Sequence, residues 1–302
     1  MGRYFNSYFD YNSKHKVYNI LGFKIKIKNK ETKLFTYIDT VYTLLNNYVD
    51  ITKIPPTKGK LRKLQLECNS LLQSFIKLCN KHNLSYWLDG GTLLGAYRHK
   101  GFIPWDDDID LCMLRTEYKK MIPIAKEYFK NSDFIVRERA ERCNNFQLRI
   151  INKYNENIAI DIFPVDFYYK KIETIDEKIE VCKKIKKAKK IFDKKYNQKY
   201  MNYKTVKSAQ EDIIKIQNKI ILNSYSINES KPTLFFGIDF LYNPKKYLVM
   251  DYDLIFPLTK ILFEGNEYLA PNMICKYLEN LYGDYMSFPK EAKYIRNGKI
   301  DF

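Results

Sequence analysis

Four of the five residues from Asp106 to Asp110 are carboxylic acids: Asp106, Asp107, Asp108 and Asp110. Carboxylates this crowded repel one another unless a cation lies between them. Mg²⁺ is the usual hard cation held by one or two carboxylates together with substrate phosphates. Asp108-Ile109-Asp110-Leu111-Cys112-Met113 alternates at first and then runs apolar, as the start of a strand does. Residues two apart on a strand share a face, so an extension reaching back would line Asp106, Asp108 and Asp110 along one side. Upstream, apolar Tyr86-Trp87-Leu88 leads into Gly90-Gly91, a pair that permits a tight turn with exposed N–H groups. Thr92 can then open a helix whose N-terminus favours an anion, and basic Arg98-His99-Lys100 separates the two halves. Taken singly, a glycine pair is an ordinary turn and an acidic cluster a solvated loop or helix cap. Together they describe a site for a metal-held phosphate.

Another acid stands apart. Ile158-Ala159-Ile160-Asp161-Ile162-Phe163-Pro164-Val165-Asp166 embeds Asp161 in an almost wholly apolar segment. A lone buried carboxylate is costly unless paired or metal-bound, so Asp161 is the expected third acid of the metal site. Asp166 is expected in a turn or at a helix cap. Arg149, in mid-strand, suits either a phosphate contact or an ordinary ion pair.

The run L-D-G-G-T-L-L-G-A-Y-R-H-K-G-F-I-P-W-D-D-D-I-D, residues 88–110, resembles the signature of the LicD family of phosphocholine and fukutin-type polyol-phosphate transferases. The likeness extends over residues 87–288 through D-I-F-P-V-D at 161–166, F-E-G at 263–265 and L-Y-G-D-Y-M at 281–286, with a poorly matched middle. It implies a nucleotidyltransferase-like α/β fold, a mixed sheet flanked by helices. In such a fold Gly90 and Gly91 open a helix, Asp108 and Asp110 form Asp-x-Asp on a strand, and Asp161 comes from a neighbouring strand. The implied metal ligands are Asp108, Asp110 and Asp161 around Mg²⁺ or Mn²⁺, with Asp106 as an extra ligand or orienter. Gly90, Gly91 and Thr92 would hold donor phosphates. Arg98 or His99 would offset charge on the leaving group, and Asp161 could assist deprotonation of the incoming hydroxyl.

The elements that must position these residues are legible in outline. Leu61, Leu64, Cys68, Leu71, Leu72, Phe75 and Cys79 recur at three and four, predicting an amphipathic helix over 59–82. Thr116 is the expected cap of a helix through Phe129. Strands are expected at 134–139, 146–152 and 157–163, then a strand at 257–265 turning into a second short one ending at Ala270. A helix follows from Pro271 to Leu281, closed by Gly283.

Residues 1–56 read as a basic N-terminal segment, in which 16–28 alternates like an edge strand or hairpin and resembles leaders of bacterial surface-polysaccharide transferases. Residues 57–170 form the expected catalytic core. The lysine-rich, glycine-free text of 171–224 has helical periodicity and reads as an insertion offering an acceptor or membrane surface. Residues 225–302 complete the catalytic domain.

Composition sets outer bounds. A hydrophobic fraction of 45% with 26 tyrosines supplies ample core material. No run approaches the roughly 20 apolar residues of a membrane span, and the N-terminus lacks a signal peptide's apolar core, so a cytoplasmic protein is expected. Six cysteines without C-x-x-C spacing and three histidines argue against a zinc site or a disulfide framework. A net charge of +17 calls for an anionic partner. With no nucleic-acid reading motif in the sequence, the anionic inner face of a membrane is the expected surface.

The resulting expectation is transfer of a phospho-alcohol from a CDP-activated donor, CDP-choline first, to a hydroxyl of a free or lipid-linked cell-surface glycan (lipopolysaccharide, capsule or teichoic acid). CMP is released. Ribitol, glycerol or ethanolamine phosphate are alternatives within the family. A glycosyltransferase also uses D-x-D, but leaves Gly-Gly-Thr and the buried Asp161 without a purpose. A non-enzymatic basic docking module has no need of clustered acids.

Overall fold

The computed structural model describes residues 5–10, 15–20, 23–27, 31–140, 146–168, 232–236 and 249–288, with isolated positions between 172 and 215. The proposed insertion at 171–224 lies largely outside the described residues. At the N-terminus β1 (Phe5–Asp10), β2 (His15–Ile20) and β3 (Phe23–Ile27) form an antiparallel meander, in keeping with the alternation there. The helix that follows, α1 (Glu31–Tyr48), was not expected from its mixed Thr, Tyr and Asn content. After a 3-10 turn at Ile51–Lys53, α2 (Gly59–Lys81) matches the predicted amphipathic helix and buries its leucine and cysteine stripe.

β4 (Trp87–Leu88) runs into α3 (Gly90–His99), and a loop returns the chain to β5 (Asp110–Leu114), antiparallel to β4. α4 (Arg115–Tyr128) starts at once, with Leu114 rather than Thr116 in the capping position. β6 (Phe134–Ala140), β7 (Phe146–Asn152) and the long β8 (Ala159–Tyr168) follow, then β9 (Thr233–Phe236) and β10 (Val249–Met250). A short α5 (Tyr252–Ile255), the hairpin of β11 (Thr259–Phe263) and β12 (Asn266–Ala270), and α6 (Ile274–Tyr282) complete the described part.

β4 to β10 make one mixed sheet centred on β8. One edge of β8 pairs in parallel with β5. Its other edge pairs antiparallel with β7 over its first half and with β9 over its second. Both central strands are apolar because both faces are covered: Leu111, Cys112, Met113, Ile160, Ile162 and Val165 are fully buried. α2 and α4 contact each other and β8. The sheet and its flanking helices are the expected α/β architecture.

Two expectations fail in the same region. β5 starts at Asp110, so residues 106–109 are loop, and strand alternation does not align Asp106 and Asp108 with Asp110. Asp166 is neither turn nor cap but an interior residue of β8, registered with Phe235 of β9. The expected strand ended at Phe163, yet β8 runs on through Pro164. The Asp161 N–H points to the Ile109 carbonyl on the β5 side at 2.8 Å, so by alternation the Pro164 nitrogen faces the opposite edge. There it falls between the last residue paired with β7, Ile162, and the first paired with β9, Val165. No ladder hydrogen bond is demanded of it, which is where a strand tolerates proline.

Candidate active site

Two pieces of backbone meet at the head of β5. The Asp89 N–H donates to the Asp110 carbonyl at 3.0 Å, extending the β4–β5 ladder by one step. The Asp110 N–H then donates to the Thr92 hydroxyl at 2.8 Å. The first turn of α3 is thereby fixed against the acid-bearing strand. Gly90 has φ +54, and a Cβ there would lie 2.6 Å from Asp110 Oδ2; a Cβ on Gly91 would overlap Asp106 Oδ2. Only glycine lets both carboxylates lie against the helix start, where unsatisfied N–H groups favour negative charge.

The sheet register supplies the rest. Asp110 is the direct partner of Asp161 across the parallel β5–β8 pair, and Arg149 is the partner of Asp161 across β7–β8. Registered residues point to one face, so Asp110, Asp161 and Arg149 stand in a row. Asp161 is 2% exposed and accepts from Arg149 Nε; the ion pair considered for Arg149 is therefore present. In the preceding loop, carboxylate oxygens of Asp106, Asp107 and Asp108 lie within 4.8 Å of one another, the metal-suited acid group found among the described residues. Asp108 is buried, while Asp106 and Asp107 are half-buried. Asp161 is tied to this loop through the adjacent Asp110 rather than as a member of that close group.

The two basic candidates differ in character. Arg98 is buried, with Nη1 donating to the Tyr285 carbonyl at 3.0 Å. His99 has neither ring nitrogen hydrogen-bonded, and burial, reinforced by the Arg98 charge, pulls its pKa down to about 4. His99 is thus neutral at pH 7, which leaves Arg98 as the cationic member of the two.

Several residues of this region escaped sequence reasoning. Asp89 precedes the glycine pair but makes no capping hydrogen bond. Its buried carboxylate accepts from the Tyr277 hydroxyl of α6, and burial pushes its pKa up against the hydrogen bonds from Tyr277 and the Gly90 N–H. Tyr282, one turn later on α6, has its phenol pushed well up by burial and then by the charges of Asp89, Asp110, Asp106 and Asp108. Tyr277 thus ties α6 to the residue that precedes the glycine start of α3. Glu264, from F-E-G, accepts two hydrogen bonds from Arg62 and one from the Phe102 N–H. The signal for Asp89 was available: like Asp161, it is a single acid in an apolar run. For Gln65 the signal was a polar residue inside the apolar stripe of α2. Nothing in local sequence marked Tyr277 or Tyr282.

A family model described as the nucleotidyltransferase domain of LicD/FKTN/FKRP matches residues 83–193. The chain is 30% identical over 256 residues to the lipopolysaccharide cholinephosphotransferase LicD of Haemophilus influenzae, covering 78% of this chain and 94% of that protein. It is 28% identical over 124 residues to the human ribitol-5-phosphate transferase FKTN, covering 41% of this chain and 25% of that protein. A 26-residue stretch is 69% identical to the human ribitol 5-phosphate transferase FKRP, 9% of this chain and 5% of that protein. With a glycine-opened helix, an acid-headed strand and a third acid in register beside it, and with a bacterial relative matched over nearly its whole length, the chain belongs to the LicD family and has its nucleotidyltransferase-like fold.

Proposed function

We propose that this protein is a metal-dependent transferase moving phosphocholine from CDP-choline to a hydroxyl of a cell-surface glycan, free or lipid-linked, with release of CMP. The observation that carries the reading is the register pairing of Asp110 with Asp161 beside the 106–108 acid loop and the glycine start of α3. Phosphoryl transfer depends chiefly on positioning and charge neutralisation, and these are what such a site offers. The choice of choline follows the name of the bacterial relative, a cholinephosphotransferase. The human relatives, named ribitol-phosphate transferases, favour a CDP-linked polyol as the second reading.

The donor set suits a hard divalent ion, because it consists of carboxylate oxygens. Asp108, Asp110 and Asp161 would hold Mg²⁺ or Mn²⁺, with Asp106 as an additional ligand. The ion would neutralise diphosphate charge and polarise the transferred phosphoryl group. The chain's own residues do the rest. The α3 N-terminus at Gly90, Gly91 and Thr92 presents N–H groups to phosphate oxygens. Arg149 fixes the Asp161 carboxylate, which would take the proton of the incoming hydroxyl. Arg98 lends positive charge toward the departing CMP. The +17 chain would work in the cytoplasm, peripheral to an anionic inner-membrane surface; among the described residues, no helix is long and apolar enough to cross the membrane.

The test is incubation of purified protein and Mg²⁺ with labelled CDP-choline, CDP-ribitol and UDP-sugars, followed by product analysis. CMP release from CDP-choline supports the first reading, and release from CDP-ribitol alone supports the second. Turnover of a UDP-sugar alone would make the protein a glycosyltransferase.

A further inference from the structure

We propose that Gln65, Arg62 and Glu264 are positioning residues for divalent-cation binding, a frame that holds the 103–106 turn so that the Asp106 carboxylate is presented to the ion. The inference rests on the functional reading above.

Gln65 is wholly buried on α2, within a stripe of leucine and cysteine side chains. A buried amide is costly unless hydrogen-bonded, and its bonds run to the acid loop. Gln65 Nε2 donates to the Asp106 carbonyl at 2.8 Å and to the Ile103 carbonyl at 3.4 Å. The Ile103 carbonyl also receives the Asp106 N–H at 2.9 Å, closing the turn. On its other side Gln65 Oε1 accepts from Arg62 Nη1 at 3.2 Å. The same guanidinium forks onto Glu264 at 2.9 and 2.7 Å, the bidentate geometry that fixes orientation as well as charge.

Glu264 then grips the start of the loop. Its carboxylate accepts the Phe102 N–H at 3.1 Å, and its own N–H donates to the Lys100 carbonyl at 2.9 Å. Gly101 lies so close that a Cβ would stand 2.5 Å from Glu264 Oε1. The loop leading into the acids is thus held at residues 100–102 by the β11–β12 hairpin and at 103–106 by α2, with Arg62 joining the two clamps. At the far end the Asp106 carboxylate lies against Gly91.

The frame has a physical purpose. Like charges pushed within 4.8 Å of one another drift apart in a loop that is free to move. Holding the backbone prepares them for an ion at no cost on binding. Its loss should therefore appear in cation affinity beyond any change in stability.

The experiment is a Mn²⁺ titration by electron paramagnetic resonance on the full chain, with thermal melting alongside. Wild type is compared with Gln65→Met, Arg62→Lys and Arg115→Lys. Gln65→Met is similar in volume but cannot donate. Arg62→Lys keeps the charge, loses the fork and sits at a partly exposed side chain, so it decides the matter if Gln65→Met does not fold. Arg115→Lys breaks the comparable fork of Arg115 onto Asp166, outside the 106–110 acid loop. We expect Mn²⁺ affinity to fall about tenfold in the two frame variants, equivalent to about 1.4 kcal/mol, and to be unchanged in Arg115→Lys despite a lower melting temperature. Unaltered affinity in the frame variants, or an equal fall in Arg115→Lys, would overturn the inference while leaving the proposed function standing. A wild type that binds no Mn²⁺ would overturn both.

Discussion

β8 carries two buried carboxylates, each 2% exposed and each paired with arginine. Asp166 receives Arg115 Nε and Nη2 at 2.9 and 2.8 Å, a matched fork, and its partner in register is Phe235. Asp161 receives Arg149, but its partner in register is another acid, Asp110, at the end of the 106–108 acid loop. Alternation puts the two on opposite faces of the sheet. The Asp166 pair balances its charges within a matched fork, buried and in register with Phe235, so it serves architecture. Arg149 is bonded to Asp161, while Asp110 stands beside Asp161 in register and continues the 106–108 acid loop; that excess of negative charge suits a cation and a phosphate-bearing ligand. A buried ion pair is not by itself a sign of function; the charge left over beside it is.

The comparison is broken most sharply by exchanging amides for acids. Asp110→Asn and Asp161→Asn are expected to reduce CMP release roughly a thousandfold or more, with Asp110→Asn melting at or above wild type because a repulsive charge is gone. Asp166→Asn should do the reverse, costing about 3–5 kcal/mol of stability by leaving Arg115 uncompensated. Calorimetry and a nucleotide-release assay on the same preparations would separate these effects. A smaller loss is expected of Tyr277→Phe: Asp89 would lose the hydroxyl it accepts from, at about 1–3 kcal/mol, measured by urea unfolding.

Two pH effects sharpen the contrast further. Burial alone would raise the Glu264 carboxyl, but the hydrogen bonds from Arg62 and the Phe102 N–H outweigh it and hold it below its usual 4.5. Its contribution to stability is therefore present above about pH 4.5 and lost as pH falls through the lower folded value. Acid melts of Glu264→Gln should lack that loss. For His99 the folded value of about 4 lies below the usual 6.5. Its contribution is full above about pH 6.5 and declines as pH falls toward about 4. The smallest effect is a ring spectrum for His99, in an NMR titration, that stays neutral between pH 7 and pH 5.

Much of this was legible in the sequence because it depended on local pattern. The α2 stripe, the β6 and β7 strands and the glycine-opened α3 follow from periodicity and backbone chemistry. Asp161 stood out as an acid where burial was certain. What escaped was set by distant partners. Asp166 was expected in a turn or at a helix cap; only the handover from β7 to β9 explains why β8 continues through it. Asp108 looked like strand because alternation was extrapolated back past Asp110, whereas the strand starts at Asp110 and Gln65 holds the turn before it at the Ile103 and Asp106 carbonyls. Tyr277 arrives from α6, more than a hundred residues away in sequence from the Asp89 carboxylate it meets.

The central claim is that acids from two separate strands and one loop share a divalent ion at the start of α3. Anomalous diffraction from crystals soaked with Mn²⁺ and CDP tests it most directly. The account predicts an ion bound by the Asp108, Asp110 and Asp161 carboxylates, with the diphosphate at Gly90 and Gly91. An ion held elsewhere, or a diphosphate bound away from the glycine turn with these acids empty, would contradict it.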